Sequence, residues 1–243
     1  MPNRVYDIPR SAKSAEAWKQ SDLETYNINI QFRNATTFFK TPVLPPPAID
    51  EELLTTDFDA KTLAAEKNRK FLIYLKLAMN PKESESAIGD FAVLLFRALG
   101  YEHHSHTTRT SKGMKILICG QYKGAKTSVC VIDADSEEVL LVQENSHIEP
   151  KRDLMAAGLD PLENKIIPAV VMTGTSPIFL KIPVTTQLDK CVQCAKYPPT
   201  PTVVLAHEPE IPRPARREVE GMRPLDNRRI MLQCYEAFRQ FVR

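Results

Sequence analysis

Glycine is scarce, with eight residues in a chain of 243. A phosphate-cradling loop of the usual kind needs clustered glycines, so none is expected. An excess of charge of one sign is also lacking. Thirty-two Lys and Arg face thirty Asp and Glu, for a net charge of +2. That balance argues neither for nor against a nucleic-acid partner, and any basic surface must be local. Cysteines are few and odd in number, five, and their spacing forms no disulfide framework. Long apolar runs are missing. The longest stretch, FLIYLKLAM, is broken by Lys76 and falls far short of a membrane span. The opening MPNRVYDIPRSAK has no apolar core, so no secretory signal is expected. Together these absences predict an intracellular protein, cytoplasmic or nuclear, with reduced thiols and no membrane partner.

What is present suits a sizeable core: 43% of residues are apolar and 26% charged. Residues 1–60 read as an arm and a proline-rich linker. YNINIQF (26–32) alternates as a short edge strand does, and PVLPPPAID (42–50) favours extended backbone. Residues 61–243 read as one domain. A helix is expected from about Lys61, with Leu63, Phe71, Tyr74, Leu75 and Ala78 at helical spacing. A second is expected over 86–99, with Ile88, Phe91, Leu95 and Leu99 as its apolar stripe, Ser84 or Ser86 as cap and Gly100 as its close.

The period then changes. MKILICG (114–120), TSVCVID (127–133) and EVLLVQE (138–144) read as three consecutive strands. IIPAVVMT (166–173), IFLKIPV (178–184) and TPTVVLAH (200–207) read as more. A final helix is expected from Asn227, capped by Asp226, with Met231, Tyr235, Phe238 and Val242 on one face. This order predicts an α/β or α+β layered domain.

A helix with an acid near its start, followed by three strands, is how the PD-(D/E)XK (restriction-endonuclease-like) fold begins. Its chemistry needs an acid at the head of the second strand and an acid–x–lysine at the end of the third. The acids hold a divalent metal through hard oxygens, and the metal activates a water. The lysine positions and deprotonates that water. Here the helix offers Glu85 and Asp90, and the third strand offers Glu144. Position 128, at the head of the second strand, is Ser, and position 146, the lysine slot, is also Ser. A hydroxyl supplies neither the charge of a carboxylate nor the basicity of an amine.

The segments ESAIGDFAVLLFRALGY, ILICGQYKGAKTSVCVID, EVLLVQENSH, TGTSPIFLKIPVT and PRPARREVEGMRPLDNRRIMLQCYEAF resemble a family of mushroom-forming fungal (basidiomycete) proteins. The likeness spans nearly the whole chain. It implies a PD-(D/E)XK nuclease-like core, a mixed sheet flanked by helices. Members of that family read ESAVDDFAV, HAKTDVC and QEDKRH at the matching places. Gly89, Ser128 and Ser146 depart from that pattern, while Glu85, Asp90 and Glu144 remain. The stretch EPKRDLMAAGLDPLEN is short beside the helix the resemblance implies there, with room for two or three turns.

The expected function is therefore that of a degenerate, catalytically inactive relative of such nucleases, with nucleic acid or another protein as the open choice of partner. No cofactor is expected. Were the chain an active nuclease, Mg²⁺ would be its ion, held by Glu85 and Glu144, and Lys123 or Lys126 would stand in for the lysine. A pure interaction protein is the third reading. HHSH (103–106) is expected as a polar loop, and Cys191-x-x-Cys194 with His207 lacks a fourth zinc ligand. Asp133 and Asp135 are expected as turn formers, and Cys119 and Cys130 as small core residues. Arg213, Arg216, Arg217, Arg228 and Arg229 form the candidate partner-binding group, weighed against a clasp of internal ion pairs.

Overall fold

Seven strands of one mixed sheet organise the chain. The computed structural model describes residues 10–14, 17–57, 63–80, 85–146 and 165–242. Strands β1 (Ile28–Phe32), β2 (His106–Thr110), β5 (Val129–Asp133), β6 (Val139–Ser146), β7 (Lys165–Thr173), β8 (Ser176–Val184) and β9 (Thr202–His207) lie in the order β1-β9-β8-β7-β6-β5-β2. β1 runs parallel to β9 and β6 parallel to β7, and every other pair is antiparallel. β3 (Gly113–Ile118) and β4 (Gln121–Lys126) form a separate two-stranded sheet.

Helices cover both faces of the large sheet. On one face, α2 (Ala35–Phe39), α3 (Glu52–Thr55), α4 (Glu66–Ala78), α5 (Glu85–Ala98) and α8 (Leu225–Phe238) bury Phe38, Phe39, Phe71, Phe91, Phe96, Tyr235 and Phe238. On the other, α1 (Gln20–Thr25) and α6 (Thr186–Gln193) set Leu23 and Leu188 against Cys130, Ile132, Val142 and Ile182. Burying one such side chain contributes about 1.5–3 kcal/mol. α7 (Arg217–Glu220) is a single turn ahead of α8. Among the described residues, no helix is long and apolar enough to cross a membrane.

The central strands carry three prolines, each placed where a missing N–H costs little. Pro168 lies one residue before β6 begins to pair with β7, and Pro177 and Pro183 lie outside the β8 segment paired with β9. α5 closes as its sequence predicts: Gly100 takes a positive φ of 69° and Tyr101 N–H bonds the Phe96 carbonyl at 2.9 Å.

Four expectations need correction. MKILICG is not the first strand of the main sheet; that place belongs to the polar edge strand HTTRT, and His106 starts it rather than ending a loop. Ser86 does not cap α5, because the helix already includes Glu85. α8 starts at Leu225, two residues early, and Asp226 lies inside its first turn because Arg213 grips its carboxylate with two bonds of 3.0 Å. The first helix begins at Glu66, with Ala65 at its N-cap, rather than near Lys61, so Leu63 packs into the core ahead of the helix and not on its stripe. Beyond these corrections, TQLDKCVQ, for which the pattern predicts no element, forms helix α6, capped by the Thr185 side chain accepting from Leu188 N–H at 3.0 Å. The cap Ser84 and the 147–164 stretch lie outside the described residues.

The N-terminal arm is woven into this core through β1, Phe38 and Phe39. His207, on β9, is the buried joint between them. Its Nδ1–H donates to the Arg33 carbonyl at 2.9 Å, and its ring packs on Phe38 and Phe39 at 5.6 and 5.0 Å. Burial, the largest cause, pulls its pKa below the ordinary imidazole value. As pH falls through about 6.5 the unfolded chain takes up this proton before the folded one, so the contribution of His207 to stability is lost on acidification. The urea midpoint of the wild type should therefore fall between pH 7 and pH 5, and that slope should flatten in His207→Phe. An identical slope in both proteins would remove His207 from the argument.

Candidate functional site

The register of β5 on β6 builds the site. Val129 pairs with Gln143, so Ser128, one residue before β5, faces Glu144. Ser128 Oγ donates to Glu144 Oε2 at 2.8 Å, Ser128 N–H approaches the same oxygen at 3.3 Å, and Asn145 N–H reaches Ser128 Oγ at 3.3 Å. These residues edge an open cleft of about 530 Å³, whose other walls include Glu85, Asp90, Thr110 and Lys126. The cleft thus gathers Glu85, Asp90, Ser128 and Glu144. Ser146 closes β6 opposite Thr173 of β7.

The two sides of this cleft are chemically separate. Residues alternate along β6, and the packing follows: Leu141 sits in the α5-side core and Val142 in the opposite one. Ser128 and Glu144 share the face of Val142. Asn145 is the strand residue that meets α5, its Nδ2 donating to the Glu85 carbonyl at 2.9 Å while its Oδ1 accepts from Gln143 Nε2 at 2.6 Å. Gly89 makes room for that amide, since a Cβ there would lie 3.2 Å from Asn145 Nδ2 and 3.7 Å from Val129 Cγ2. Sequence reasoning flagged Gly89 and passed over Asn145. The signal was an amide next to Glu144 and a glycine in mid-helix, where glycine costs about 1 kcal/mol and needs a packing reason.

This donor set does not suit a divalent ion. Glu144 faces a neutral hydroxyl that donates to it, and the helix acids come from the other side of the sheet. Among the described residues, no three His, Cys, Asp or Glu side chains gather closely enough to hold a metal. Cys191, on α6, and Cys194, just past it, are far in role from His207, whose Nδ1 bonds a carbonyl and whose Nε2 lies 3.8 Å from Cys234 Sγ. Asp133 is a turn former: it accepts from Ser105 Oγ and from the N–H groups of Asp135 and Ser136, and these bonds, Ser105 first, pull its carboxyl down to about 2. Asp135 lies in that same turn. Cys130 is fully buried, whereas Cys119 is half-buried at a hairpin tip. Lys126 lines the cleft, while Lys123, on the other face of β4, does not.

The arginines act largely inward. Arg213 spans Glu220 and Asp226, and Arg216 pairs with Glu220 at 2.9 Å while staying largely exposed. Arg217 is buried, pairing with Glu208 at 2.9 Å and donating to the carbonyls of Pro209 and Pro177. Arg228 is fully buried and donates to the Thr56 carbonyl, and burial lowers its pKa to about 10. Arg229 donates to the Leu54 carbonyl at 2.6 Å. Arg217 and Arg228 therefore cannot meet a partner's surface. They and Arg229 tie α7 and α8 to backbone carbonyls of β8, the β9–α7 loop and α3, each bond a charge-assisted one.

Gly89→Asp should destabilise the fold by about 1–3 kcal/mol, as overpacking does, because it drives the Asn145 amide off the Glu85 carbonyl. In an Asn145→Ala background the same change should cost less. Equal costs in both backgrounds, by chemical denaturation, would break the proposed coupling. No family model and no curated protein matches the chain.

Proposed function

We propose that this chain is a PD-(D/E)XK nuclease-like protein, related to the basidiomycete family its sequence resembles, whose cleft no longer supports catalysis. The strand plan favours this reading. Helix α5 is followed by β2, β5 and β6 in antiparallel succession, then by β7 parallel to β6. A parallel neighbour requires a crossover rather than a hairpin, which is the αβββ-crossover-β order of that fold. Its acid slot on the second strand coincides with Ser128 and its third-strand acid with Glu144.

One observation carries the loss of catalysis: Ser128 Oγ donates to Glu144 Oε2 at 2.8 Å. Two carboxylates facing each other across strands repel and recruit a cation. A hydroxyl facing a carboxylate hydrogen-bonds to it without adding a second negative charge, so the pair carries one charge where two would recruit a divalent ion. The cleft carboxylates then serve as hydrogen-bond acceptors. Lys126, on the cleft wall, is the residue an active variant of the reading would use in place of the missing lysine.

Purified protein with Mg²⁺ or Mn²⁺ should leave plasmid DNA, single-stranded DNA and RNA intact. Metal-dependent cleavage that disappears in Glu144→Ala would overturn the inactive reading. Ser128→Asp should recreate the paired carboxylates. It should lose about 0.2–1 kcal/mol of stability in EDTA, as like charges opposite one another do, and gain Mn²⁺ binding measurable by calorimetry. A Ser128→Asp protein that binds no Mn²⁺ would undo the nuclease-like assignment of positions 128 and 144.

A further inference from the structure

The β3–β4 hairpin stands outside the main sheet and borders the cleft through Lys126 at the end of β4. Its register is Gly113↔Lys126, Lys115↔Gly124, Leu117↔Tyr122 on one face and Met114↔Ala125, Ile116↔Lys123, Ile118↔Gln121 on the other. The second face packs down through its apolar members: Ala125 and Ile118 are buried, Ile116 packs on Ala125, and Met114 joins the core beneath the sheet. The first face is turned out, with Lys115, Lys126 and Gly124 exposed and Tyr122 74% exposed. Nothing lies within 4 Å of a Cβ built on Gly113 or Gly124, so the backbone between the lysines is open to approach.

The hairpin is held rigidly. Its two-residue tip, Cys119 and Gly120, has φ of 49° and 74°, as the tight hairpin turn requires. The tip N–H groups bond the Val192 and Gln193 carbonyls at the end of α6, at 2.9 and 2.8 Å. Tyr26 Oη lies 3.2 Å from Cys119 Sγ. The outward face is therefore pre-organised.

Its charge is one-signed. Residues 109–126 contain Arg109, Lys112, Lys115, Lys123 and Lys126 and no acid. Lys112 leans toward Glu137 at 4.0 Å, whereas no carboxylate of the described residues forms a salt bridge with Lys115 or Lys126. On the outward face Lys115 is the diagonal neighbour of both Tyr122 and Lys126, about 7–8 Å from each. Tyr122 and Lys126 are four residues apart on β4, about 13 Å. An exposed lysine run alone reads as a solvated face. Here it brackets a bare aromatic ring on a flat, glycine-opened platform.

We propose that this face binds single-stranded nucleic acid, with a base stacked on Tyr122 and backbone phosphates on Lys115 and Lys126. The choice of a phosphodiester chain as ligand rests on the nuclease-like reading of the neighbouring cleft as well as on charge complementarity. Stacking on one exposed ring requires an unstacked base, which favours single strands over duplex. The cleft acids repel phosphate, so the strand runs along the hairpin and binding does not need a divalent ion.

Fluorescence anisotropy with labelled oligo-dT, oligo-U, a duplex of the same length and anionic phospholipid vesicles tests this on the full chain in EDTA. Single strands of either sugar should bind, duplex and vesicles more weakly. Tyr122→Ala should weaken single-strand binding about tenfold. Lys115→Ala/Lys126→Ala should reduce the slope of log K against log salt by about 1.4, two phosphate contacts at ~0.7 each. All three residues are exposed, so circular dichroism should show both variants folded. No binding of single strands, binding unchanged in both variants, or a preference for vesicles or duplex would overturn the proposal. A Ser128→Asp protein that fails to bind Mn²⁺ while single-strand binding persists would remove the nuclease-like reading and leave the hairpin surface standing.

Discussion

The pairing of β5 with β6 is the constraint on which the site depends. Side chains on a strand alternate, so a one-residue slip would send Ser128 and Glu144 to opposite faces. The register is fixed by burial on both sides, since Val129, Val131 and Leu141 enter one core and Cys130 and Val142 the other. A β-bulge between Val131 and Ile132 absorbs the mismatch near the β5–β6 turn and leaves the cleft end in register. Core packing thus places a serine against a glutamate, and the chemistry of the cleft follows from which two residues occupy those places.

The parts that were legible in the sequence are those with an unambiguous period. α5 and α8 carry stripes that the core requires, and β5 to β9 are β-branched runs bounded by turn residues. The parts that were not legible share a cause. MKILICG and a core strand have the same composition, so pattern cannot say whether an apolar face packs in a sheet or lies flat on its outside. HTTRT is polar because it is an edge strand with one exposed face, and polarity hides strands of that kind. The α6 sequence TQLDKCVQ is only eight residues long, too short for periodicity to stand out, though Thr185 supplies a clear cap. The convergence of Glu85, Asp90, Ser128 and Glu144 on one cleft could be framed from spacing. The role of Asn145 could not, because it depends on α5 lying across the end of β6.

The arginine-rich stretch shows why counting charges along a chain cannot separate a binding patch from a clasp. Over 211–229 the basic residues outnumber the acids, yet their partners are mostly backbone carbonyls, which carry no formal charge. Arg223 donates to the Met79 carbonyl at the C-terminal end of α4 in the same manner. Carbonyls near helix ends lack intrahelical partners, and guanidinium groups, with five donors in a fixed fork, are suited to them. The positive charge that opposes the dipole at the start of α8 is accommodated by such contacts from Arg228 and Arg229 and by Asp226 in that first turn.

Net charge hides this division of labour. The molecule is close to neutral, with Arg213, Arg216 and Arg217 paired to carboxylates. That leaves the uncompensated cations of the hairpin region as a local field that the total of +2 does not register. A field of this kind acts over about 8–10 Å at moderate ionic strength. Lys126, on both the hairpin face and the cleft wall, therefore lies within reach of the Glu144 carboxylate's surroundings. Two facing carboxylates at positions 128 and 144 would offset the hairpin's positive field at their boundary unless a cation sat between them. With Ser128 in one of those places, that boundary carries one negative charge fewer and the basic face is less opposed. A serine rather than an acid at position 128 is thus electrostatically consistent with an exposed cationic hairpin: the single carboxylate of Glu144 opposes an anionic ligand beside it less than a facing pair would.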